Sequence, residues 1–86
     1  MRELRWSLLK SERLKRTRGV SFEELIQARL VAVKEHPSRP QQRIMLFDYK
    51  NYIWVVPFVE HGNEIFLKTL YPSRKYTQLY RRGEVP

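Results

Sequence analysis

Eighty-six residues make one domain, 1–86, which buries only roughly 60–65% of the surface its unfolded chain exposes. The chain has no cysteine and only two histidines, so a disulfide framework and thiolate metal sites are excluded, and neither metal nor cofactor is expected. A formal net charge of +8, from seventeen Lys/Arg against nine Asp/Glu, points to a polyanionic partner. Nucleic acid stands first, acidic protein or membrane surface behind it, and a basic surface kept for solubility is the bland alternative.

In chain order, Leu4 to Arg18 is rich in helix formers, with Ser7 as N-cap and Gly19 as the left-handed stop. Its apolar face (Trp6, Leu9, Leu14) is narrow, and Arg13, Lys15, Arg16 and Arg18 leave much of the surface cationic. Ser21-Phe22-Glu23-Glu24 reads as a capping box opening a second short helix with an apolar stripe of Phe22, Leu25 and Ile26. Leu30 to Val33 reads as a first strand and His36 to Pro40 as a loop.

Three further strands are predicted over Arg43–Asp48, Tyr52–Val59 and Glu64–Tyr71. Short turns at Tyr49-Lys50-Asn51 and Glu60-His61-Gly62-Asn63 favour an antiparallel meander, and Pro57 demands a bulge or a free position in its strand. Ser73 caps a final helix that turns Tyr76, Leu79 and Tyr80 inward. The fold class is therefore α+β: two N-terminal helices, a four-stranded antiparallel meander and a C-terminal helix.

The longest apolar run, Tyr52 to Val59, is eight residues long and holds Pro57, which suits a strand and not a bilayer span. No signal-peptide apolar region follows the charged opening before Lys10. A cytoplasmic protein without a membrane partner is expected.

Positive charge is concentrated at the two ends of the chain. Met1–Gly19 holds seven basic and two acidic residues, and Ile65–Arg82 holds five basic and none acidic. If the ends meet in the fold, they form one patch for RNA. Arg74 and Lys75 stand in the first turn of the last helix, where cations oppose the macrodipole. Free amides, the Ser73 hydroxyl and these two cations would cradle a phosphate; equally, Ser73 only caps and the cations are only solvated.

Lys68 lies just upstream, and Tyr71, Tyr76 and Tyr80 interleave rings with cations, as single-stranded RNA binding requires. Of the three, Tyr71 is the best placed for exposure. His36 and His61 are the acid/base candidates by residue type, each on a predicted loop where a plain surface role is also open. Lys10 and Arg18 on the first helix, with Arg81 and Arg82 on the last, are further candidate RNA contacts.

Trp6, Lys10, Gly19-Val20-Ser21-Phe22-Glu23-Glu24 and Ser73-Arg74-Lys75 with Tyr80 resemble the BrnT family of toxins. That family opens with Trp, Asp, Lys, Asn and His-Gly-Val-Ser-Phe-Glu-Glu in fixed spacing; here Ser7 replaces the Asp, Leu14 the Asn and Arg18 the His. The resemblance implies a RelE-like fold and the toxin of a type II toxin–antitoxin pair, a metal-independent endoribonuclease that arrests growth. It implies RNA substrate, free or on the ribosome. The implied partner is a cognate antitoxin of ribbon-helix-helix or similar type, through which the complex binds operator DNA.

Under that reading the expected catalytic set is Arg74, Lys75, Lys68, Tyr71 and His61. Arg74 and Lys75 hold the phosphate, Lys68 supports them, and Tyr71 or His61 moves protons. Two other classes stay open: a non-catalytic nucleic-acid-binding module, and a structural subunit that folds only with its neighbour.

Overall fold

The computed structural model describes residues 2–85. Its first element is a strand, β1 (Glu3–Arg5), followed by α1 (Leu8–Arg18) and the single turn α2 (Phe22–Leu25). Strands β2 (Arg29–Glu35), β3 (Arg43–Tyr49), β4 (Tyr52–His61), β5 (Glu64–Leu67) and β6 (Tyr71–Pro72) lead into α3 (Arg74–Arg81). The strands form one mixed sheet in the order β1-β5-β4-β3-β2, with β6 pairing the early part of β4.

The fold is α+β, and β2 to β5 form the expected antiparallel run. The sheet is not a pure four-stranded meander, however. The chain opens with β1, which adds to β5 in parallel by pairing Glu3 with Glu64 and Arg5 with Phe66. Three residues carry no readable period, so helix-forming residues upstream of Ser7 concealed a strand. The predicted fourth strand also splits, into β5 and β6 around Lys68–Leu70.

Pro57 explains that split. Its carbonyl accepts from the Lys68 amide at 2.8 Å, but it has no N–H to return the bond. Ladder pairing stops there, the chain lifts out through Thr69 and buries Leu70, and pairing resumes when Tyr71 reaches Val55.

Alternation along β3 and β4 fills both faces of the sheet. Met45, Phe47, Val56 and Phe58 point to one face and pack under α1 and α2 with Leu14, Val20, Phe22 and Leu25. Ile44, Leu46, Ile53 and Val55 point to the other and meet Tyr71, Tyr76 and Tyr80 around α3. Helices thus cover opposite faces. Leu9, expected inside, is 75% exposed, while Ser11 takes the buried position in its place.

Local chemistry closes each helix where the sequence indicates. Ser7 and Ser73 accept from the amides of Lys10 and Tyr76, and Gly19 (φ 80°) ends α1. Ser21 and Glu24 complete the capping box. Thr77 is the buried residue of α3, where the sequence had suggested Leu79 beside the tyrosines. Its hydroxyl accepts from the Ile53 amide at 2.8 Å and donates to the Ser73 carbonyl at 2.7 Å, which ties α3 to β4.

Candidate nucleic-acid interface

Among the described residues, three concavities of the surface differ in charge. A groove between α1 and α2 mixes Lys15 and Arg16 with Glu12 and Glu23. A second, between α3 and the start of β4, includes Asp48 beside Arg81. The third, about 330 Å³, is lined by three cations and no carboxylate. That volume falls within the range of about 300–1,000 Å³ common to small-ligand sites.

Four separate parts of the chain build this third cleft. Lys10 comes from α1, His36, Arg39 and Gln42 from the β2–β3 connection, Pro57 from β4, and Lys68, Thr69 and Tyr71 from the excursion between β5 and β6. The interrupted ladder at Pro57 is what frees Lys68 and Thr69 to line a wall. Arg18 secures the same excursion by donating to the Leu70 carbonyl. Arg18, expected as an RNA contact, thus has one guanidinium nitrogen on the backbone of the segment that carries Lys68 and Thr69.

His36 is held by its own loop. Its Nδ1 accepts from the amides of Ser38 and Arg39, each at 3.1 Å, which leaves the proton of the neutral ring on Nε2. Half-burial raises the Tyr71 phenol above its ordinary value, with the neighbouring Tyr76 adding to the effect. Tyr71 thus remains a proton-bearing donor at neutral pH. The cleft offers donors and positive charge, which is the chemistry of an anion site.

The remaining expected residues lie elsewhere. Arg74 and Lys75 stand on α3, on the other side of the sheet from the body of α1, and do not line the cleft. Lys75 Nζ lies 5.6 Å from the centre of the Tyr76 ring. Neither cation has a side-chain carboxylate within salt-bridge distance among the described residues. Arg81 donates to the Asn51 carbonyl at 2.9 Å, and Arg82 pairs with Glu84 at 3.4 Å. His61 ends β4 opposite Glu64, exposed, outside the cleft.

Trp6, Ser21, Glu23 and Glu24, four of the residues on which the resemblance was read, have structural work to do. Glu23 accepts from Trp6 Nε1 at 2.7 Å and from Ser11 Oγ at 2.5 Å, and these bonds hold its carboxyl below the ordinary range. Glu24 receives Lys15 Nζ at 2.8 Å, the Ser21 amide at 3.0 Å and the Tyr49 hydroxyl at 3.1 Å. Its pKa falls to about 2, chiefly through Lys15. Together they fasten α1, α2 and β3 to one another.

Arg39 had no signal in the sequence beyond a cation between two prolines, and only the fold brings it beside Lys10 and Lys68. Among the described residues no group of three or more His, Cys, Asp or Glu side chains could hold a metal ion. No helix among them is long and apolar enough to cross a membrane. Comparisons with protein-family models, curated proteins and solved structures find no match to this chain.

Proposed function

We propose that this protein acts on single-stranded RNA as the ribonuclease toxin of a toxin–antitoxin pair, working in the cytoplasm. The observation that carries the reading is the cleft of Lys10, Arg39 and Lys68, cationic and free of carboxylates in a chain that carries nine acidic residues. Three cations converging from separate elements are costly to hold together unless an anion joins them. A phosphodiester is the polyanion unit that fits such a cleft.

In the proposed reaction the ribose 2′-oxygen attacks the adjacent phosphorus. The new O2′–P bond forms as the P–O5′ bond breaks, leaving a cyclic phosphate and a free 5′-hydroxyl. Lys68 and Arg39 balance the charge gathering on the phosphoryl oxygens, which is worth most in a partly enclosed site. The Nε2–H of His36 bonds a phosphoryl oxygen, and the Tyr71 hydroxyl protonates the departing 5′-oxygen. The 2′-OH proton passes to solvent water as the 2′-oxygen attacks. Arg74 and Lys75 follow Tyr71 through Pro72 and Ser73, and extend the positive track beyond the cleft.

An antitoxin would silence this face by laying an acidic or helical segment across it. The proposed antitoxin also binds operator DNA, so the complex represses its own transcription. One feature favours a second reading, a binder that cuts nothing. Nδ1 of His36 is occupied by two amides and Tyr71 keeps its proton, so both act as donors and neither as a ready base.

One variant tests the cleft, and one assay on the wild type separates these readings. With Arg39→Ala and Lys68→Ala combined, affinity for single-stranded RNA falls more than tenfold at low salt. The slope of log K against log salt flattens by about 0.7 for each phosphate contact removed. The fold, checked by thermal unfolding, is unchanged. Cleavage of RNA but not of its 2′-deoxy counterpart by the wild type marks the enzyme, and binding without cleavage marks the module. Undiminished affinity in the double variant removes the cleft from the function.

A further inference from the structure

Phe66 is a large aromatic residue with no part in either core cluster, and it is 40% exposed. Its direction follows from register. Leu67 and Phe58 are partners packed beneath α1 and α2, so Phe66 and its partner Val59 point to the opposite face. Lys68, opposite Pro57, points the same way two residues on. α3 occupies that face lower down, against Ile53 and Val55, and leaves the ring of Phe66 open beside the cleft.

We infer that Phe66 is a stacking platform for a nucleobase, placed next to the phosphate cleft. The inference rests on the RNA reading proposed above and names the part of the strand that the cleft does not hold. Lys68 joins the two: its ammonium lies 5.5 Å from the centre of the Phe66 ring and also lines the cleft. Two residues along a strand are about 7 Å apart, so a phosphate held at Lys68 has its nucleoside beside Phe66. Every base has a π-face, so such a platform supplies affinity with little sequence preference.

Neighbouring charge does not oppose this arrangement. Glu64 lies two residues back on the same face, and Arg5 pairs with it at 3.2 Å. His61, opposite Glu64, places a further polar ring at the far end of the same strip. A base is favoured over an apolar protein segment as the occupant because the ring has the Lys68 ammonium beside it, where base stacking and phosphate pairing act together.

The test uses the full chain with two probes, a short oligoadenylate and an abasic ribose-phosphate oligomer of equal length. Wild type binds the base-bearing probe roughly five- to a hundredfold more tightly than the abasic one. Phe66→Leu, which keeps apolar bulk and removes the ring, loses that preference and retains affinity for the abasic probe. Phe66→Tyr restores the preference. Binding by Phe66→Leu that matches wild type on both probes overturns the platform. Abasic affinity that still depends on Lys68, without any preference for bases in the wild type, sinks this inference alone. Failure of wild type to bind either probe removes it together with the RNA reading.

Discussion

The two faces of the sheet are finished differently. Under α1 and α2 the apolar core is closed at its rim by two carboxylates whose donors are in place: Trp6 and Ser11 on Glu23, Lys15 and Tyr49 on Glu24. The face that carries α3 is covered by one eight-residue helix, and beyond it lie Phe66 and a cleft whose cations have no carboxylate among them. Glu23 and Glu24 are thus assigned to stability, and the cations of the cleft, unpaired among the described residues, are the ones proposed for binding.

That division can be broken from either side. The largest effect is expected from Phe22→Ala, which opens a cavity at a fully buried ring on the closed face. A loss of about 3–5 kcal/mol in chemical denaturation would remove a large share of the about 5–15 kcal/mol that small domains carry in total. A tolerated Phe22→Ala would mean that this face is not the stabilising one.

Next comes Glu24→Gln, with an expected loss of about 1–2 kcal/mol at neutral pH from weakened bonds to Lys15 and Ser21. The carboxyl is depressed to about 2, so its contribution is present above the ordinary carboxylate range and disappears as pH falls toward 2. Wild type should therefore destabilise on acidification more steeply than Glu24→Gln, with RNA affinity at neutral pH unaltered in the variant. Parallel acid profiles for the two proteins would show that the rim network contributes nothing.

The smallest effect sharpens the comparison on the open side. Arg74→Ala with Lys75→Ala should shift stability by less than about 0.5 kcal/mol, as exposed substitutions generally do. It should weaken RNA binding by a fewfold only, less than loss of Arg39 and Lys68. A greater loss from the α3 pair would move the centre of the site from the cleft to the start of that helix.

Much of the fold was legible because its signals are local. Ser7, Gly19, Ser21, Glu24 and Ser73 act on amides and carbonyls within a turn of themselves, and all five take the cap or stop positions read for them. Strands β3 and β4 announce themselves by apolar runs between turns, and Lys50 and Asn51 adopt the positive φ of a two-residue hairpin. The candidate site was legible only in pieces. Lys10, Lys68 and Tyr71 were selected by residue type, whereas Arg39 and Phe66 have no pattern that separates them from other loop cations or core aromatics.

Composition and short-range spacing by themselves determined an α+β chain with basic ends and helices that start and stop where their caps allow. Tertiary structure alone decided that Glu3–Arg5 adds to β5 in parallel, that Pro57 turns the chain out at Lys68, and that α3 stops short of Phe66. The reason is one of range. A cap is settled by bonds three or four residues away, but a cleft depends on strand register and helix placement, which are settled by packing between residues far apart in the chain.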